Sequence, residues 1–226
     1  MLFYFFKLTF ETKKMDINKF DAVIFDLGGV LWNISYQATA NAFINLGFTD
    51  FKNWYSQANQ KELFNKLETG KISENDFYAE VRKVSGLNLK NKEIENAWNS
   101  MLLDLPVERI DLISAIAKKK SIFLLSNTNE IHLKKIEQLL QKNATNWDSF
   151  CKIFTKVYLS CRVGMRKPNE DIFLKVINDN NLIPTKTLFI EDSIQHIKTA
   201  NKIGIQTLFL QPNAENQKTI HSELIL

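Results

Sequence analysis

The stretch Ala22-Val23-Ile24-Phe25-Asp26-Leu27-Gly28-Gly29-Val30-Leu31 decides the fold. Its apolar run reads as a buried strand, and the glycines behind Asp26 read as a sharp turn. A strand that closes on a carboxylate delivers that oxygen to the carboxyl edge of a sheet, where open α/β folds keep their chemistry. Asp26 is therefore the candidate nucleophile.

A lone aspartate after a strand is ordinarily a turn or helix-capping residue. Further segments change its meaning. Leu124-Leu125-Ser126-Asn127-Thr128-Asn129 brings a hydroxyl to the end of a second apolar strand. Gly164-Met165-Arg166-Lys167-Pro168 sets a lysine ahead of a proline able to open a helix. Leu188-Phe189-Ile190-Glu191-Asp192-Ser193 closes a third strand on adjacent carboxylates. Carboxylate, hydroxyl, ammonium and acidic pair follow in that order, each at a strand-to-helix junction.

In order and spacing these segments resemble the haloacid dehalogenase superfamily of hydrolases. The resemblance is strongest to phosphatase-like members whose first motif reads FDLGGVL, glucose-1-phosphate phosphatases among them, and it runs from Phe20 to Gln211. It implies that Asp26 attacks phosphorus and becomes an aspartyl phosphate, that the Ser126 hydroxyl hydrogen-bonds the phosphate, and that Lys167 supplies positive charge. It also implies Mg²⁺ as cofactor, with Asp26, Asp192 and the Gly28 carbonyl as ligands and Glu191 as a further ligand or a partner of metal-bound water. Backbone N–H groups of Leu27, Gly28, Gly29 and Asn127 are the expected phosphate cradle. One position departs from the pattern. Gly28 stands where these phosphatases usually carry a second aspartate, the general acid and base.

Composition reads as that of an ordinary soluble globular protein. The 226 residues are 45% hydrophobic and 24% charged, with a net charge of +4 spread along the chain, so neither nucleic-acid binding nor stable membrane insertion is expected. Cys151 and Cys161 lie in no CxxC pair and read as reduced thiols of a cytoplasmic protein. Residues 1–14 hold the apolar cluster Leu2-Phe3-Tyr4-Phe5-Phe6, too short for a membrane span, and read as a tail, with Met15 an alternative start.

The pattern between the first two strands is helical. Tyr36 to Leu46, Trp54 to Leu67, Glu74 to Val84 and Glu93 to Leu102 carry apolar residues at three- and four-residue intervals. Such a block is too long for an ordinary crossover, and reads as an all-helical cap over residues 33–105 inserted into a core of residues 15–32 and 106–226. After Ser121, strands and helices alternate, which predicts a Rossmann-like, doubly wound parallel sheet. Trp32 and Tyr36 fall where core meets cap, and Lys66 and Lys71 are cap residues able to meet an anion. Asn33 and Asn129 lie beside the motifs, while His132 and His196 read as surface or capping residues.

The reading that results is a Mg²⁺-dependent phosphatase of a small phosphorylated metabolite, a sugar phosphate among the options, acting as monomer or homodimer. A 2-haloacid dehalogenase is the first rival, but those relatives place an aromatic residue at the position of Gly28 and need no acidic metal pair. A sugar-phosphate mutase depends on the missing aspartate. A receiver domain carries its acidic pair first and has no cap. A non-catalytic binding protein is supported by Gly28 alone.

Overall fold

The computed structural model describes residues 14–55, 62–142, 145–210 and 220–225. In chain order the elements are β1 (Met15–Asp16), β2 (Ala22–Phe25), α1 (Tyr36–Asn45), α2 (Phe51–Trp54), α3 (Glu62–Glu68), α4 (Glu74–Ser85), α5 (Asn91–Asn99) and α6 (Val107–Ala117). They continue as β3 (Ser121–Ser126), α7 (Glu130–Lys142), α8 (Trp147–Cys151), β4 (Lys156–Leu159), α9 (Ser160–Val163), α10 (Glu170–Asp179), β5 (Thr187–Glu191), α11 (Ile194–Lys202), β6 (Gln206–Phe209), α12 (Ile220–Glu223) and β7 (Leu224–Ile225).

Five strands form a parallel sheet in the order β4-β3-β2-β5-β6. Side chains alternate across it as a period of two requires. Val23, Phe25, Ile122, Leu124, Leu188 and Ile190 face one apolar cluster with Ile113 and Ile116 of α6 and Ile136 of α7. Ala22, Ile24, Phe123, Leu125 and Phe189 face the other, with Phe173 and Val176 of α10 and Ala200 of α11. Helices thus cover both faces, and the continuous apolar reading of β2 follows from burial on both sides.

The chain runs from central β2 to β3 on one side and later to β5 on the other. This reversal opens a crevice at the carboxyl ends of β2, β3 and β5. Asp26, Ser126 and Glu191 all stand there.

Helices α1 to α5 pack around a further apolar cluster, rich in rings, which Ile131 of α7 joins. Phe43 stacks on Phe51 at 4.3 Å and Phe64 on Trp98 at 5.5 Å between centroids. Helix α4 starts at a reciprocal capping box between Ser73 and Asp76 and stops at Gly86, whose φ of 70° suits a residue without Cβ. The chain segments that lead into and out of this region lie side by side. Asn33 N–H donates to Asp104 O, Leu103 N–H donates to Asn33 O, and the Asn33 side chain donates to Asp104 Oδ1 at 2.9 Å.

Several boundaries differ from the sequence reading. Trp54 ends α2 rather than opening a helix, and α3 ends one residue beyond Leu67. Helix α5 spans Asn91–Asn99, so Leu102 lies outside it, in a bridge with Ile34. Met15–Asp16 pairs in parallel with Leu224–Ile225, a long-range contact too short to announce itself by periodicity. Of the expected tail, residues 1–13 lie outside the described residues.

Candidate active site

Strand β2 ends at Phe25, and the Asp26 N–H continues the ladder by donating to Ile190 O at 3.0 Å. Its carboxylate is thereby held at the crevice, 7% exposed. Gly29 then takes a φ of 81°, and a Cβ there would lie 2.1 Å from Asp192 Oδ2, so a side chain is excluded on two counts. Gly28 lies against the Ile34 side chain, with 3.3 Å from an ideal Cβ to Ile34 Cδ1.

Lys167 is fully buried, and its Nζ bridges Asp26 Oδ1 at 2.6 Å and Glu191 Oε2 at 2.7 Å. The Asn127 side chain fixes the backbone that carries it, donating to Lys167 O at 2.8 Å and accepting from Lys167 N–H at 2.9 Å. Glu191 is engaged through both oxygens. Oε1 accepts from the N–H groups of Asp192 and Ser193, and Oε2 meets Lys167 and lies 2.9 Å from His196 Nδ1.

Asp26, Glu191 and Asp192 offer oxygens within 4.8 Å of one another. Burial and the Glu191 charge push the Asp26 carboxyl up to about 7 against the pull of Lys167. Burial, Asp26 and Glu191 push Asp192 up to about 9. Burial acts to raise Glu191 also, but Lys167 and His196 outweigh it and hold that carboxyl below its ordinary range. Burial opposes the Lys167 charge, and the carboxylates overcome it, so the ammonium persists. With all three carboxylates ionised, one ammonium would leave an excess of two negative charges, and that repulsion adds to burial in raising Asp26 and Asp192. A hard divalent cation with oxygen ligands fits that donor set and that deficit.

These groups line a cavity of about 270 Å³ between the sheet and the helical region. Leu27, Gly28, Ser126 and Asn127 border it, as do Trp32 and Tyr36. From the helical region come Asn65 and Glu68 of α3, Trp98 of α5 and Tyr55. The Glu68 carboxylate meets the Arg166 guanidinium, Oε2 to Nη2 at 3.1 Å, and Arg166 also donates to Asn65 Oδ1. Burial raises the Glu68 carboxyl in spite of Arg166 and Lys167.

The sequence reading is corrected at several positions. The Gly29 N–H already donates to Trp32 O at 2.8 Å, so it is not directed at a phosphate. His132 is no surface residue: it is 7% exposed, stacks on Trp98 at 5.1 Å and meets Asn99 Oδ1 through Nδ1 at 2.9 Å. His196 is half-buried beside Glu191. Asn33 joins Asp104 at the mouth of the helical region, and Asn129 holds the first turn of α7 by accepting from His132 N–H. Lys66 pairs with Glu62 in an exposed contact and, with Lys71, lines a neighbouring cleft that shares Asn65 and Arg166 with the main cavity. Glu68 and Tyr55 had no sequence signal. Arg166 stood beside Lys167, but adjacency alone does not show direction.

Residues 20–204 match the sequence profile of the haloacid dehalogenase-like hydrolases. The chain belongs to that family. It is 30% identical to the D-ribitol-5-phosphate phosphatase of Bacteroides thetaiotaomicron, over 82% of this chain and 89% of that protein. A sesquiterpene phosphatase of Aspergillus oryzae is 26% identical over 84% of this chain and 90% of its own length. Among solved structures, a variant of a haloacid dehalogenase family enzyme from B. thetaiotaomicron, in complex with magnesium and inorganic phosphate, superposes with a TM-score of 0.79. It is 31% identical and covers 86% of this chain and 95% of its own. None of the described helices is long and apolar enough to cross a membrane.

Proposed function

We propose that this protein is a Mg²⁺-dependent phosphatase of a small phosphorylated sugar alcohol. The observation that carries the reading is the Lys167 ammonium held between Asp26 and Glu191 beside a third carboxylate, Asp192, on the wall of the cavity. A nucleophilic carboxylate, a fixed positive charge and a set of oxygen ligands are what phosphoryl transfer needs. A metal-independent dehalogenase has no use for the third carboxylate.

Asp26 and Asp192, with the Gly28 carbonyl, would hold the cation. When bound, Mg²⁺ neutralises phosphate oxygens and lowers the repulsion between nucleophile and substrate. Glu191, engaged through both oxygens, acts from behind by fixing Lys167 and the turn that carries Asp192. An Asp26 oxygen attacks phosphorus as the ester P–O bond breaks, and the departing alkoxide takes up a proton. Water then attacks the aspartyl phosphate, the bond from phosphorus to Asp26 breaks, and inorganic phosphate leaves. Lys167 and the Ser126 hydroxyl stabilise charge on the transferring group. Gly28 contributes no acid, so the proton for the alkoxide comes from another source: water, a substrate hydroxyl or a residue of the helical region.

The helices of residues 33–105 act as a cap over a core of residues 15–32 and 106–226. Their apolar cluster, to which the core adds Ile131, and the paired entry and exit segments at Asn33 and Asp104 support this division. Phosphate release from ribitol 5-phosphate, glucose 1-phosphate and an aryl phosphate, with Mg²⁺ or EDTA, tests the reading. Metal-dependent release that disappears in Asp26→Asn is expected. Release that survives the substitution would sink it.

A further inference from the structure

Resting on the phosphatase reading, the geometry assigns Glu68 a specificity role: held by Arg166, its carboxylate reads hydroxyl groups on the substrate's carbon chain. Glu68 is 8% exposed yet borders the same cavity as Asp26, entering from α3 rather than from the sheet. Its Oε2 is fully covered and meets the guanidinium, but makes no aligned hydrogen bond among the described residues. The ion pair fixes the side chain, and Glu68 still borders the cavity, where it offers a charged acceptor to a substrate hydroxyl.

The Trp32 and Trp98 rings border the same cavity and supply apolar walls, while their indole N–H groups are covered. Glu68 is thus the charged acceptor that the helical region brings to the wall. A polyol chain can donate hydroxyls to it, and a hydrocarbon chain cannot. A site that hydrogen-bonds substrate hydroxyls discriminates against a saturated alkyl or isoprenoid phosphate without them.

Arg166 precedes Lys167 directly, so the group that orients Glu68 is tied to the group that orients Asp26. Hydroxyl recognition and the phosphoryl site thus share one short segment of backbone. Glu68 is a positioning and specificity residue and takes no part in bond making.

The test compares ribitol 5-phosphate with pentyl phosphate, which has equal chain length and no hydroxyls. Binding is measured by calorimetry with Mg²⁺ in Asp26→Asn, which turns neither ligand over. Ribitol 5-phosphate should bind more tightly, and adding Glu68→Gln should weaken it about tenfold to a hundredfold while pentyl phosphate changes less than about twofold. Glu68→Asp, which keeps the charge but withdraws it, should give the same selective loss. Equal weakening of both ligands would show a structural role and overturn the assignment, as would a polyol preference that survives both substitutions. Metal-dependent aryl phosphate turnover by the unsubstituted chain, with no polyol preference in binding, would overturn this inference and leave the phosphatase reading standing. Selective polyol binding without any turnover would do the reverse.

Discussion

A methyl group on Gly29 would stand 2.1 Å from Asp192 Oδ2, so the turn after the nucleophile and the acidic pair after β5 are fitted to one another. Gly29→Ala must either move Asp192 or leave its own φ of 81°. The left-handed backbone alone costs an L-residue about 1–2 kcal/mol. Gly47 supplies the control, since its φ is 99° but its Cβ would meet only the Leu87 side chain at 3.4 Å. Both alanine variants should melt earlier than the unsubstituted protein. Mg²⁺ affinity by calorimetry should fall in Gly29→Ala alone, and a similar affinity in both variants would refute the fit.

Removal of the buried ammonium is the next case. Lys167→Met keeps length and apolar contact but leaves Asp26 and Glu191 facing each other without a cation. Loss of one preorganised charge that stabilises the transition state lowers kcat on the order of 10²–10³. KM should change much less. Lys167→Arg should not restore turnover, because a planar guanidinium cannot reproduce the single Nζ that bridges Asp26 Oδ1 and Glu191 Oε2. Recovery of half the activity or more in the arginine variant would contradict this.

Divalent cations should stabilise the fold through Asp26 and Asp192. Asp26, Glu191 and Asp192 crowd their oxygens within 4.8 Å, and ligand binding to the native state raises the melting temperature by mass action. Mg²⁺ should therefore raise Tm in a concentration-dependent way, and EDTA should reverse it. Asp192→Asn should melt at least as high as the unsubstituted protein without metal, because repulsion is relieved, and respond weakly to Mg²⁺. Differential scanning fluorimetry decides it. A full Mg²⁺ response in the variant would remove Asp192 from the ligand set.

The strand ends were legible because each obeys a local rule: an apolar run, then a polar residue, then a helix start. Asp26, Ser126 and Glu191 could be found that way, and the parallel sheet follows from the alternation of strands and helices. Lys167, expected at a strand-to-helix junction, instead follows the short helix α9 that intervenes after β4. Glu68 could not be found. It lies on a helix whose sequence shows no more than amphipathicity, and its meaning arises from Arg166, far along the chain and in another layer. His132 was misread for the same reason. Its burial depends on Trp98 and Asn99 of α5 settling over the start of α7, a docking that no local periodicity records. The pairing of Met15–Asp16 with Leu224–Ile225 joins opposite ends of the chain, beyond the reach of any sequence window.

That docking makes a prediction about pH. Burial lowers the His132 imidazole to about 3, so it stays neutral in the folded protein where an unfolded chain, titrating near its ordinary value, binds a proton. The unfolded state then holds more protons than the native state across the interval between those values. Stability contributed by neutral His132 is complete above the unfolded pKa and is lost as pH falls toward the folded one, at up to about 1.4 kcal/mol per pH unit. His132→Gln cannot titrate, so its unfolding free energy should lose close to one proton's worth of pH slope in that acidic interval. Above it the slopes should coincide. Urea unfolding at a series of pH values measures both, and parallel curves for the two proteins throughout would mean that His132 is not enclosed between Trp98 and α7 in solution.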